Sequence, residues 1–247
     1  MNFQKPEWHP QLPSTNTTLL NRLSSGDPLP SGFVLATHEQ TSGRGRYQRN
    51  WIAQAHQNLT FSFLLITRSD FPKLASLPMA IALGVSDALK TYDIESQTKW
   101  PNDILIDSAK ICGMLLERSE CKHPNGTAII IGIGLNVNMD ATTAALINRP
   151  VTSMCLETGQ EYDLENVLTQ ILTTTAPWID LWENRGFAGL RTHWEQRCAY
   201  LGEQISVGEG KDIKTGILIG FGTHGQLLLK DNSGQQHEIW AGDVAAI

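Results

Sequence analysis

Between Thr41 and Trp51 the chain sets Gly43 and Gly45 alternately with Arg44 and Arg46, then adds Arg49 and Trp51. Glycines let backbone N–H groups approach an anion closely, and arginines supply charge-assisted, bidentate contacts to phosphate or carboxylate. Trp51 offers a stacking face. With no anion bound, like-charged side chains gain nothing by closing over an empty site, so the segment is expected to be mobile until a negatively charged ligand lets it close as a lid. The same composition also suits a solvated surface loop. A second cluster is Lys99-Trp100-Pro101-Asn102-Asp103, followed by Lys110-Ile111-Cys112-Gly113-Met114. Tryptophan and proline beside paired polar residues are costly on a surface unless something uses them, and Lys110 is a point charge near a strand start. A turn with an exposed lysine reads equally from these residues. The third segment runs from Gly132 to Asn138, where an apolar strand ends in small residues and amides, either to meet a ligand or only to pack tightly.

Other chemistries lack their residues. Gly132-Ile133-Gly134-Leu135-Asn136-Val137 has no final glycine of a dinucleotide fingerprint, and Gly210-Lys211 is followed by Asp212 without the upstream glycine of a P-loop. The seven histidines are scattered, with no H-E-x-x-H spacing. A net charge of −6 lacks the basic footprint of a nucleic-acid binder. The four cysteines, Cys112, Cys121, Cys155 and Cys198, show no C-x-x-C spacing and suit a reduced compartment. No stretch approaches the roughly 20 apolar residues of a membrane helix, and the N-terminus lacks a signal-peptide apolar region, so a cytoplasmic protein is expected.

The elements that must position these residues follow from periodicity. Leu19, Leu20 and Leu23 share one face of a short helix behind the hydroxyl and amide residues Ser14, Thr15 and Asn16. Phe33 to Thr37 and Leu59 to Ile66 read as strands, with the arginine segment as a loop between them. Helical spacing of Leu74, Leu77, Ile81, Val85 and Leu89 predicts a helix over Lys73 to Tyr92. Three short strands follow, Ile104 to Ile106, Ile111 to Glu117 and Ala128 to Leu135, separated by the turn residues Asp107-Ser108 and Pro124-Asn125-Gly126. Leu164, Val167, Leu168, Ile171 and Leu172 mark another helix, continued by Trp178, Leu181, Trp182 and Trp194 in a helical region that Pro177 is expected to bend. The last 47 residues hold 9 of the 21 glycines between short apolar runs, which predicts a small all-β module. The expected architecture is α+β, with a mixed or antiparallel sheet over 1–199 and a small barrel over 200–247.

Taken in order, Gly43-Arg44-Gly45-Arg46 through Trp51, Lys99 to Asp103, Lys110 with Cys112-Gly113, and Gly132 to Asn136 resemble the motif set of the biotin protein ligases. Ser14-Thr15-Asn16 is similar to that family's early biotin-contacting triplet, and Gln40 to its glutamine upstream of the arginine loop. The resemblance covers nearly the whole chain. It implies a catalytic domain related to class II aminoacyl-tRNA synthetases and a C-terminal SH3-like barrel. It also implies a reaction, in which biotin is activated with ATP to biotinyl-5'-AMP and passed to a lysine of a biotin carboxyl carrier protein. Biotin would be held by Ser14, Thr15, Asn16, Gln40, Arg44, Gly45, Arg46 and Lys110. ATP would meet Arg44, Arg46, Trp51, Asn102, Asp103 and Asn136, with Mg²⁺ near Asp103. Lys110 and Arg46 would carry the catalytic charge. No membrane or nucleic acid is implied as a partner, and the chain would be a monomer or homodimer. Only 13 residues precede Ser14, so the DNA-binding domain of some relatives and their repressor activity are not expected. Gln48 stands where many members have glycine, and the chain stops at Ile247 without the basic tail of some relatives. Two other readings are a lipoate protein ligase, whose arginine-loop and lysine-tryptophan signatures differ, and a sensor that binds the adenylate without transferring it.

Overall fold

The computed structural model describes residues 1–51, 54–121, 123, 125–208 and 212–247, with the side chain of Gln48 excepted. Gln48's side chain, Pro124 of the expected turn and the Gly210-Lys211 pair therefore lie outside the described residues. The first sheet contains β1 (Glu7–His9), β2 (Val34–Thr37), β3 (Asn58–Thr67), β4 (Gln97–Lys99), β5 (Asp103–Ile106), β6 (Ala109–Arg118) and β7 (Thr127–Asn136). Its spatial order is β1-β2-β3-β7-β6-β5-β4. The β1–β2 pair is parallel and the others are antiparallel, which makes the sheet mixed, as the α+β expectation allowed.

Alternation along the central strands decides what each face does. Leu59, Phe61, Phe63 and Leu65 of β3, with Ile129, Ile131, Ile133 and Leu135 of β7, join one continuous core. That core is closed by α3 (Leu77–Lys90), α6 (Leu164–Arg185) and α7 (Phe187–Arg197). Each such side chain stabilises the fold by about 1.5–3 kcal/mol on burial. On the opposite face, Leu64, Ala128 and Ile130 pack beneath Leu19 of α1 (Thr15–Ser24) in a smaller cluster. Further along that face the same strands carry Thr60, Ser62, Gly132 and Gly134 instead. One end of the face is thus sealed by α1 and the other is left shallow.

The expected helix over Lys73 to Tyr92 is split into α2 (Phe71–Leu74) and α3. Pro78 lies in the first turn of α3, where its missing N–H has no helical partner to lose, so it begins a helix there and does not continue one. Pro177 does not divide the second helical region, because α6 runs through it as one 22-residue helix. The short α4 (Ala141–Ala145) and α5 (Met154–Thr158) were not anticipated and lie between β7 and α6.

The second sheet is antiparallel throughout and contains β8 (Gln204–Gly208), β9 (Lys214–Phe221), β10 (Leu227–Lys230), β11 (Gln236–Ile239) and β12 (Asp243–Ala246). Its order is β11-β10-β9-β8-β12. Ile205, Val207, Leu218, Phe221 and Val244 belong to the same apolar core as the first sheet. Arg191 of α7 donates to the Phe221 and Gly222 carbonyls at 2.5 and 3.0 Å, and the Trp100 indole donates to the Gly225 carbonyl at 3.0 Å. No described helix is long and apolar enough to cross a membrane.

Candidate active site

The shallow end of the sheet is the floor of the site. Ser14 caps α1, its hydroxyl accepting from the Thr17 N–H at 3.4 Å, so the first turn of the helix opens onto this floor. Thr15 donates from its backbone N–H and its hydroxyl to Gln40 Oε1, at 2.8 and 3.2 Å. Asn16 Nδ2 donates to Glu117 Oε2 at 2.8 Å and to the Leu115 carbonyl at 3.2 Å. Ser62 Oγ lies 2.6 Å from both Thr15 Oγ1 and Asn16 Oδ1. Thr15, Asn16, Ser62 and Gln40 thus present neutral donors and acceptors, with the Glu117 carboxylate behind Asn16, an arrangement that suits a neutral polar ring better than a charge. A Cβ at Gly132 would strike the Asn16 amide and one at Gly134 the Trp51 indole, so side chains of this size lie on the floor only because both positions are glycine. Ser62 and Glu117 were not singled out from sequence. Ser62 was findable, since it falls on the polar parity of an otherwise apolar strand; nothing local marks Glu117.

Charge gathers at the open side. Lys110 Nζ pairs with Asp103 Oδ1 at 2.5 Å and lies 6.0 Å from the centre of the Trp51 ring. Asn102 donates to the Met114 carbonyl at 2.5 Å and accepts from Arg46 at 3.2 Å. Asn136 donates to the Thr152 carbonyl at 2.9 Å and holds the chain after α4 against the sheet. Lys99 is half-buried here; burial lowers its pKa from the usual lysine value, and Asp103 opposes that effect. Cys112 lies behind Lys110, and burial pushes its thiol up to about 12, so it offers no thiolate at neutral pH.

The arginines are not unpartnered, as the sequence alone had left them. Arg44 Nη2 donates to Glu117 at 3.1 Å and to Thr17 Oγ1 at 3.0 Å. Arg46 Nη1 reaches Asp243 Oδ1 at 3.1 Å and the Gly242 carbonyl at 3.2 Å, and Arg49 pairs with Asp243 Oδ2. Both carboxylates come from distant strands, β6 and β12, so no local pattern announced them. They occupy the guanidinium forks that the sequence had reserved for a ligand.

The site is a cavity of about 320 Å³, and every residue that the resemblance assigned to biotin or ATP lines it except Asn136. Asn136 lines an adjoining cavity of about 220 Å³, together with Trp51 and Lys110, which border both. Among the described residues no group of three or more His, Cys, Asp or Glu is placed to hold a metal ion.

Residues 8–136 match the model of the biotin/lipoate A/B protein ligase family. The chain belongs to that family. It is 34% identical over 211 residues to the biotin--[acetyl-CoA-carboxylase] ligase of Paracoccus denitrificans, covering 83% of this chain and 87% of that one. It is 29% identical over 241 residues to the bifunctional ligase/repressor BirA of Bacillus subtilis, spanning 72% of the relative's length. Among family members of known structure, the biotin protein ligase of Aquifex aeolicus in complex with biotin and ATP superposes with a TM-score of 0.82 at 29% identity, covering 98% of both chains.

Proposed function

We propose that the protein is a biotin protein ligase that forms biotinyl-5'-AMP from biotin and ATP, releases pyrophosphate, and transfers biotin to a lysine of a biotin carboxyl carrier protein. One observation carries the reading: a single cavity joins the neutral network of Thr15, Asn16 and Gln40 to the cations Arg44, Arg46 and Lys110. That combination suits a ligand with a neutral polar ring at one end and a carboxylate at the other, beside a phosphate chain. Ser14 and Gly45 line the same space, Trp51 offers a face for the adenine ring, and Asn102 and Asn136 fix the walls on the nucleotide side.

The chemistry needs no protein nucleophile. A carboxylate oxygen of biotin bonds to the α-phosphorus, the α,β-bridging bond breaks, and pyrophosphate departs with the electron pair. Lys110 and Arg46 would exchange their present carboxylate partners for the two reacting anions, holding them together while negative charge grows. The neutral carrier lysine then attacks the acyl carbon and AMP leaves. Mg²⁺ commonly binds through phosphate oxygens, waters and one or two carboxylates, so Asp103 fits as its protein ligand and the ion would neutralise phosphate charge. Residues 1–199 act in this reading as a synthetase-like catalytic domain and 200–247 as an SH3-like module. A monomer or homodimer in the cytoplasm, with free cysteines and no nucleic-acid partner, agrees with the charge and composition.

The test is incubation with biotin, ATP, Mg²⁺ and a carrier domain, followed by intact-mass measurement. The carrier should gain one biotinyl group only when both small molecules are present, and lipoate should not replace biotin. A protein that binds both substrates but leaves the carrier unmodified after many equivalents would overturn the reading.

A further inference from the structure

After α4 the chain returns across the site as a strap. Its far end is tied to Lys110 by two backbone hydrogen bonds, Lys110 N–H to the Pro150 carbonyl and Thr152 N–H to the Lys110 carbonyl, both 3.0 Å. This pins Arg149, one residue before Pro150, at the boundary shared by the two cavities, and Arg149 lines both. The three arginines of the loop each hold a carboxylate, on Glu117 or Asp243. Arg149 has no carboxylate within ion-pairing distance among the described residues, and its charge is a minor influence on Lys99 beside burial and Asp103.

The second cavity has a direction. None of Ser14, Thr15, Asn16 or Gln40 borders it, while Trp51, Ile147 and Val151 give it flat or apolar walls suited to a base. A nucleotide with its base there must run its phosphates back toward Lys110, past Arg149. We propose that Arg149 binds the β- and γ-phosphates of ATP and, after adenylation, the departing pyrophosphate, and makes no contact with biotin. The assignment rests on the ligase reading for what the cavity binds, and it adds a cation supplied by the strap to those of the motifs. Among the described residues Arg149 has no ion pair to break before it meets an anion, whereas Arg46 must first leave Asp243.

Calorimetric titration of the full chain with ATP alone, AMP alone and biotin alone tests it. Arg149→Ala should weaken ATP binding about tenfold, the loss of one charge-assisted contact at a partly solvated site, and leave AMP and biotin within twofold. Arg149→Lys keeps the charge but not the planar fork and should fall between. Arg149 is exposed on a loop, and equal melting temperatures for the variants would show that the fold is intact. Unchanged ATP affinity, or an equal loss for ATP and AMP, would overturn the proposal. If the wild type binds ATP but releases no pyrophosphate with biotin, the ligase reading fails, and the comparison of ATP with AMP still decides the role of Arg149.

Discussion

The two faces of β3 and β7 are built from the same twenty residues and do opposite work. Toward α3 and α6 every second position from Leu59 to Leu65 and from Ile129 to Leu135 is large and apolar, and Phe61, Ile131 and Leu135 are fully buried. Toward the cavity the alternate positions are Thr60, Ser62, Gly132 and Gly134, too small or too polar to fill it. Stability and recognition are therefore separated by strand parity, at neighbouring residues and not in separate regions. Breaking one face should spare the other's task to a measurable degree.

The largest effect is expected on the core face. Phe61→Ala removes a buried ring from a packed interior and should cost about 3–5 kcal/mol in urea unfolding. At low denaturant the remaining folded fraction should bind biotin almost normally; a specific loss of biotin affinity in that fraction would show that the faces are coupled. Next comes Gly132→Val. The new side chain displaces the Asn16 amide from Ser62 and Glu117, so biotin affinity should fall tenfold to a hundredfold, about 1.4–2.8 kcal/mol. Its overpacking cost should stay within about 1–3 kcal/mol. Normal biotin binding by this variant would show that the floor is not the recognition surface.

A smaller effect should separate the floor from its lid. Glu117→Gln removes the carboxylate that holds Arg44 and keeps an acceptor for Asn16. Because Arg44 is well exposed, stability should change by less than about 1 kcal/mol, but trypsin should cleave after Arg44 several-fold faster in the unliganded protein. A cleavage rate equal to that of the wild type would mean that the ion pair does not order the loop. The smallest effect belongs to the sheet edge, as a control remote from both faces. The hydrogen bond from His9, with Arg22 beside it, holds the Glu7 carboxyl below its usual pKa. Its contribution is therefore present above the unfolded carboxylate range and is lost as pH falls through the lowered native value. Glu7→Gln should cost less than about 1 kcal/mol at neutral pH, and the difference from the wild type should vanish on acidification. A difference that grew as pH fell would contradict this sign.

Parity was legible in the sequence because it is local. The apolar alternation of Leu59 to Ile66 and Ala128 to Leu135, the glycines that interrupt it, and the helix behind Ser14 can all be read within a few residues. The partners of the arginines cannot, because Glu117 and Asp243 lie 73 and 197 residues from the arginines they hold, and only the fold brings them near. β1 escaped for a different reason: three residues between Pro6 and Pro10 show no period, and the strand exists only by pairing with β2. Arg149 was overlooked because the strap that presents it has no regular structure of its own after α4.

Trp100 forms with Pro101 the cis peptide that leads to Asn102 and Asp103, and its indole is buried and donates to the Gly225 carbonyl in the turn between β9 and β10. Five consecutive residues thus serve as both wall and joint. The first sheet is consequently not a portable unit: grafted elsewhere without the second, it would carry the cavity's polar residues along with an orphaned indole N–H and the apolar surface that Val207, Leu218 and Val244 now cover. The seam of the small sheet with the motif, β12 and its Asp243 included, is inherited with the site.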